Sequence, residues 1–444
     1  MNRFGRTASL ELEDLVQPWG GLFSSSATHE TSAIEPRYAI RVARSGDLGR
    51  LWGIDPFNRA VGEQPIVLSG SGVDLSSDAT LIPALAEGVE RYCATTYSEG
   101  QFVQATADEL GVAALDLDSI PQCSDTELAD PRCPLKRPCK TEQIRWIKGV
   151  CLLSGEITYV PAVLAYLYLK PTSPAERLCI QITTGCSAHR TYEQSLLGGL
   201  MELVERDAIG LTWLQKLPLP RVEFSEIPDR LVPYWQSYLQ ASKHLEYLFF
   251  DATTDMGVPT VYGLQRSLID PQLATIVCCA SASDPVDAVI KVMRDFASVR
   301  RYIRHAHAPP AAFGDFTELS HGAAFMARSE QMHAFDFLTN SGRTVRLDEM
   351  KTLPQSDDSS MTLRLLLERV RSKGMHVYAV DLTSDEALRC GLRAVRVIVP
   401  ELQPFAFHYR ARYLGHPRLY GAPRLMGLPS YREEELNHWP QPFA

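Results

Sequence analysis

The chain has 444 residues, 45% of them hydrophobic, which allows a large buried core and two or three domains by length alone. A formal net charge of -9 argues against a nucleic-acid-binding surface, which favours a basic face, and no apolar run is long enough to span a bilayer. The N-terminus MNRFGRTASLELEDL lacks the apolar centre of a signal peptide, and ten scattered Cys residues read as reduced thiols of a cytoplasmic protein.

Up to about Gln64, short apolar runs broken by Pro and Gly predict a few strands, among them Tyr38 to Val42, leading to Pro65-Ile66-Val67-Leu68. A Gly-rich turn, Ser69-Gly70-Ser71-Gly72, comes next. It opens into a helix from roughly Asp78 to Tyr97, in which Glu87 and Glu90 lie three residues apart on one face. Thr106 to Lys140 is loop-rich, and its Cys133 and Cys139 fit no common zinc spacing. Trp146 to Leu153 and Ile157 to Val163 predict a hairpin turning at Ser154-Gly155.

The stretch Thr183 to Gln215 predicts a long helix. Leu196, Leu197, Leu200, Leu203, Val204 and Ile209 recur at helical spacing. Thr191 and Gln194 suit a capping box at its start, and Pro218 and Pro220 stop it. Gln194, Gly198, Glu202 and Glu205 share one face. Two helices thus carry the string Glu-x-x-Glu-Arg. Four carboxylates that meet in space need counter-charge, which a hard divalent cation with oxygen ligands supplies. The plain alternative is chance repetition on exposed acidic helix edges.

Further on, Leu231 to Ser242 reads as a helix, followed by strands at Tyr247 to Asp251, Thr260 to Gln265 and Thr275 to Ala282. Asp284-Pro285 opens a helix whose later part carries Arg294, Arg300, Arg301 and Arg304, either a solvated basic face or a phosphate contact. Ala306 to Asp358 predicts loops with one short helix. Thr362 to Lys373 is a helix stopped by Gly374. Strands at His376 to Asp381 and Ala394 to Val399 flank a helix from Asp385 to Cys390, and the segment after Pro400 reads as mostly extended. His408 and His416 read as loop or structural histidines. The alternation of helices and strands gives an α/β or α+β fold. No Walker A string and no G-x-S-x-G elbow is present.

AEGVERY and GLMELVERDA resemble the two acidic helices of the YcaO superfamily of ATP-dependent peptide-modifying enzymes. Leu15-Val16-Gln17-Pro18 with Gly20-Gly21 is similar to the family's opening segment, and Ser69-Gly70-Ser71-Gly72 to its Gly-rich turn. Asp251-Ala252-Thr253-Thr254-Asp255-Met256-Gly257-Val258-Pro259 resembles its D-x-T-x-D-h-G-h-P strand entry, and Pro440-Gln441-Pro442 the Pro-rich tail of azoline-forming members. The chain departs from the pattern at Thr184 (commonly Asn), Gln194 (Glu), Gly198 (often Gln), Ser71 (Lys between glycines), Pro83 (Ser), Asp295 and Ser298 (Glu and Gln), and at its last residue, Ala444 (Pro).

The resemblance implies a single YcaO-type domain over residues 1–444, with β-sheets packed against helices around a central ATP–Mg2+ site and an extended tail over 400–444. Glu87, Glu90, Gln194, Glu202 and Glu205 take the metal-binding role, and Ser71, Thr184, Arg206 and Arg300 face ATP or its phosphates. Pro442 and Ala444 bring the tail into catalysis. The implied reaction is azoline formation on a ribosomal precursor peptide. A Cys, Ser or Thr side chain adds to the preceding amide carbonyl, ATP phosphorylates the amide oxygen, and phosphate leaves. The implied partners are a leader-binding protein of the E1-like (ocin-ThiF-like) kind, a flavin dehydrogenase, and further copies or subunits in an oligomer or hetero-complex, with no nucleic acid and no membrane. Two alternatives stand beside this. One is a non-catalytic YcaO-like scaffold with a degenerate ATP site, motivated by Thr184, Gln194, Gly198 and Ser71. The other is a thioamide- or amidine-forming enzyme.

Overall fold

The computed structural model describes residues 10–48, 67–241, 243–354 and 358–444. The expected strand start at Pro65-Ile66 and the helix end at Ser242 lie outside them. In chain order the strands are β1 (Ser25–Glu30), β2 (Ala39–Asp47), β3 (Val67–Asp74), β4 (Val103–Ala105), β5 (Ile144–Cys151), β6 (Ile157–Pro161) and β7 (Cys186–His189). They continue as β8 (Arg221–Glu223), β9 (Leu245–Asp251), β10 (Thr260–Ser267), β11 (Thr275–Ser281), β12 (Thr344–Arg346), β13 (Tyr378–Asp381) and β14 (Arg393–Ile398). Described helices of eight or more residues are α1 (Leu81–Thr95), α2 (Tyr192–Leu214), α3 (Val232–Ala241), α4 (Pro285–Arg304), α5 (Leu319–Met326), α6 (Ser359–Ser372) and α7 (Pro417–Leu425).

The strands form three sheets, ordered β1-β2-β3, β11-β10-β9-β8-β12 and β4-β5-β13-β14-β7, with β6 on the side of β5. The strand pairs are antiparallel except β8 with β12. Antiparallel sheets with helices laid against them make an α+β fold, the second of the two sequence expectations.

Helix α2 lies between two of the sheets. Leu200 and Val204 pack with Val395 and Val397 of β14 and with Leu363, Leu366 and Val370 of α6. Its later half, through Ile209, Trp213 and Leu214, joins a second core with β9, β10 and the C-terminal segment. Strand β11 is buried along its whole length because α4 and α2 both contact it. That burial explains its continuous apolar run.

The Ser69-Gly70-Ser71-Gly72 segment is not a turn. It lies inside β3. A Cβ on Gly70 would sit 2.1 Å from the Ala84 carbonyl oxygen, and one on Gly72 2.1 Å from that of Thr80. The glycines therefore let α1 lie directly on the strand. The C-terminal segment is also not simply extended. It holds α7, with Pro417 at the first helical position, where the missing N–H is harmless, and Pro423 in the last turn. The region 306–358 contains α5, β12 and several 3-10 turns. All ten cysteines are free thiols. Among the described residues no helix is long and apolar enough to cross a membrane.

Candidate active site

Helices α1 and α2 both pack against β7, which brings their acidic faces together. On α1, Glu87 accepts hydrogen bonds from the Ser71 backbone N–H (2.6 Å) and hydroxyl (3.0 Å) on β3. Its other oxygen pairs with Arg91 one turn on, and Arg91 also donates to the Ser69 carbonyl. On α2, Glu202 accepts from the Gly185 N–H at 3.0 Å. Gly185 has φ +86°, and a Cβ there would lie 2.3 Å from the Val397 carbonyl oxygen, so only glycine aims this N–H at the carboxylate. Glu205 accepts from the Ser281 N–H on β11 at 3.0 Å. Arg206 lies 3.3 Å from Glu202 and 3.5 Å from Glu205, with its guanidinium over the Phe405 ring.

Burial, then the charges of Glu202 and Glu87, hold the Glu90 carboxyl well above the usual carboxylate range. Among the described residues Glu90 has no hydrogen-bond donor. Burial also raises Glu202, with Arg206 opposing and Glu205 adding to the shift. Asp295 of α4 joins the row. Burial and the charge of Glu205 push it from 3.8 to about 6. Five carboxylates from three helices thus act on one another electrostatically.

The sign of the Asp295 shift makes a prediction. A carboxyl raised in the folded state adds stability that is complete below its unfolded value of 3.8 and is lost as pH climbs to about 6. Asp295→Asn is expected to remove that slope and to stabilise the ligand-free chain at neutral pH by at most about 3 kcal/mol. Denaturant unfolding from pH 4 to 7 measures it. A variant with the wild-type pH profile would remove Asp295 from the row.

The donor set suits a hard cation. It is all oxygen and made of carboxylates. Gln194, eight residues before Glu202 on α2, has its Oε1 enclosed without a hydrogen-bond donor. Thr191 caps the Gln194 N–H at 3.2 Å, but this free Oε1 does not complete the reciprocal half of the expected box. Among the described residues no group of three His, Cys, Asp or Glu side chains is arranged to hold a metal ion by itself. Magnesium does not require one, because it usually takes one or two carboxylates together with substrate phosphates.

Of the other expected site residues, Ser71 donates to Glu87, so its donors serve a carboxylate. Thr184 is buried beside Gly185. Arg300 is not brought to the acidic row. Its guanidinium is buried among Glu35 (2.9 Å), Asp270 (3.0 Å), Gln265 and the Leu273 carbonyl, which engage four of its five N–H groups and both anions away from the row. Pro442 is buried, and Ala444 packs against the apolar core shared by α4, α5 and the second sheet. Phe443 meets Tyr262 and Phe405 edge-on, and Phe405 is the ring under Arg206. The tail therefore reaches the site arginine through two aromatic rings.

A buried ion network beside the row is not foreseen by the sequence patterns. Arg418 of α7 donates to both oxygens of Asp207 on α2 (2.6 Å each) and to Asp255 (2.8 Å), which also pairs with Lys373. Asp207 follows the acidic string directly and Asp255 belongs to the D-x-T-x-D segment, so both acids stand in motifs visible in the sequence. Its partner lies 211 residues from Asp207.

Residues 71–403 match the family model described as YcaO cyclodehydratase, ATP- and Mg2+-binding. The chain belongs to the YcaO family. An uncharacterized protein of Methanothermobacter thermautotrophicus is 26% identical over 371 residues, which cover 82% of this chain and 90% of that protein. A structure described as a heterocyclase in complex with substrate and cofactor superposes with a TM-score of 0.78 at 21% identity, over 97% of this YcaO chain and 56% of that one. The chain thus spans just over half of that heterocyclase. YcaO from Methanopyrus kandleri, bound with AMPPCP and Mg2+, matches with a TM-score of 0.60 at 18% identity, over 86% of each chain. Membership makes ATP and Mg2+ the cofactors of this YcaO protein.

Proposed function

We propose that this chain is the cyclodehydratase subunit of an azoline-forming system acting on Cys, Ser or Thr of a ribosomal precursor peptide. The observation that carries the reading is the row of carboxylates from α1 and α2, joined through Arg206 and Phe405 to the C-terminal segment. The row would supply the oxygen ligands, and a bound cation would offset the burial and mutual repulsion that raise the Glu90 and Glu202 carboxyls. When bound, ATP supplies the phosphoryl group that turns an amide oxygen into a leaving group. Arg206 is held by two carboxylates and a ring, so it meets developing negative charge without rearranging. The tail passes over Gly322 of α5, where a Cβ would clash with the Gln441 carbonyl at 2.1 Å, and its Phe443 packs on the Phe405 ring beneath Arg206.

A leader-binding partner protein completes the proposal. It is supported by the further length of the heterocyclase, of which this chain matches 56%. The free thiols fit a cytoplasmic setting. The test is mass spectrometry of a candidate precursor peptide incubated with ATP, Mg2+, this chain and its partner. Ring formation removes one water mass per residue closed. Replacement of an amide oxygen by sulfur points instead to the thioamide reading. If calorimetry finds no ATP binding with or without the partner, the chain is a scaffold.

A further inference from the structure

We propose that Arg396 on β14 binds the phosphate chain of the nucleotide. The inference rests on reading the acidic row as the nucleotide site.

Arg396 stands opposite Cys186 in the β14–β7 register, at the strand that α1 and α2 share. Its Nη1 donates to the Ile182 carbonyl at 2.6 Å and to the Cys186 sulfur at 3.1 Å, both neutral acceptors. Its Nε is enclosed and has no acceptor. Among the described residues no carboxylate forms an ion pair with it, although its charge acts on the Glu90 carboxyl of the row and lowers it.

The neighbouring cations are otherwise engaged. Arg91 pairs with Glu87, Arg206 bridges Glu202 and Glu205, and Lys291 donates to the Ser281 carbonyl. Arg396 alone of these four combines a buried donor that lacks an acceptor with the absence of an ion-paired carboxylate. Such a donor is costly to enclose unless an acceptor arrives. A phosphate suits it because its oxygens match the planar fork of a guanidinium, and neither adenine nor ribose supplies the charge. The bonds to Ile182 and Cys186 hold the arm in place beforehand, so little side-chain freedom is lost on binding.

The test is calorimetry on the full chain with two probes, AMPPCP with Mg2+ and AMP. Arg396→Gln is expected to weaken AMPPCP binding by about ten- to hundredfold and AMP binding far less, and Arg396→Lys to recover part of the loss. The ratio of the two affinities is the readout, because a merely structural arginine lowers both together. An unchanged ratio in Arg396→Gln overturns the proposal. If that variant does not fold, an unchanged ratio in Arg396→Lys, which keeps the charge but loses the fork, does the same. Glu202→Gln run alongside separates the two readings. If the Arg396 variants change the ratio but Glu202→Gln leaves the Mg2+ requirement intact, the phosphate contact stands and the metal role of the row fails.

Discussion

Glu202→Gln is expected to lower peptide-dependent phosphate release by about a hundredfold or more, with the fold intact. Glu202 stands at the centre of the row, held by the Gly185 N–H and by Arg206 and electrostatically coupled to Glu90 and Glu205. Gln keeps the shape and one oxygen but removes the charge a cation needs. Losing one such stabilising group at a reacting centre typically lowers the rate by about a hundred- to a thousandfold. The same change does not harm stability, because burial already raises the Glu202 carboxyl and the neutral amide avoids that penalty. Phosphate release and thermal unfolding, measured on the same preparation, check both halves. A wild-type rate would remove Glu202 from the metal site.

The second large effect is on stability. Arg418→Leu leaves Asp207, which is fully buried, without its cation, while Asp255 retains Lys373. Breaking a buried ion pair by removing one member costs about 3–5 kcal/mol. Replacing Asp207 with Leu as well should recover much of that loss, because the apolar pair leaves no buried charge uncompensated. Denaturant unfolding of the two single variants and the double variant measures the cycle. Limited proteolysis is expected to cut the Arg418→Leu chain beyond residue 400, since α7 ties that segment to α2. A single variant within 1 kcal/mol of wild type would mean that the network does not anchor the tail.

The parts of the fold that were legible in the sequence are those where one local pattern decides. Helix α2 announced itself by its apolar spacing, its Thr191 cap and its closing prolines, and α4 by Asp284-Pro285. The β5–β6 hairpin followed from its Ser154-Gly155 turn. Glycine misled where close packing, rather than a turn, required it, as at Gly70 and Gly72. The segment after Pro400 reads as mostly extended, yet it holds α7, whose two prolines occupy the first and last turns. Arg300 was read from helix position alone. Only the tertiary structure reveals that Glu35 and Asp270, both far away in sequence, claim its guanidinium. The same holds for Asp207 with Arg418 and for the unmatched Arg396: charge pairing between distant segments leaves no trace in local periodicity.

The central claim is that this site removes an amide oxygen as phosphate. It is tested most directly with a precursor peptide carrying isotopically heavy oxygen in the amide before a modifiable Cys. The heavy oxygen is expected in the released inorganic phosphate, in step with ring closure, and Glu202→Gln is expected to abolish both. Ring closure with the label in water, or phosphate release without any label, would contradict it.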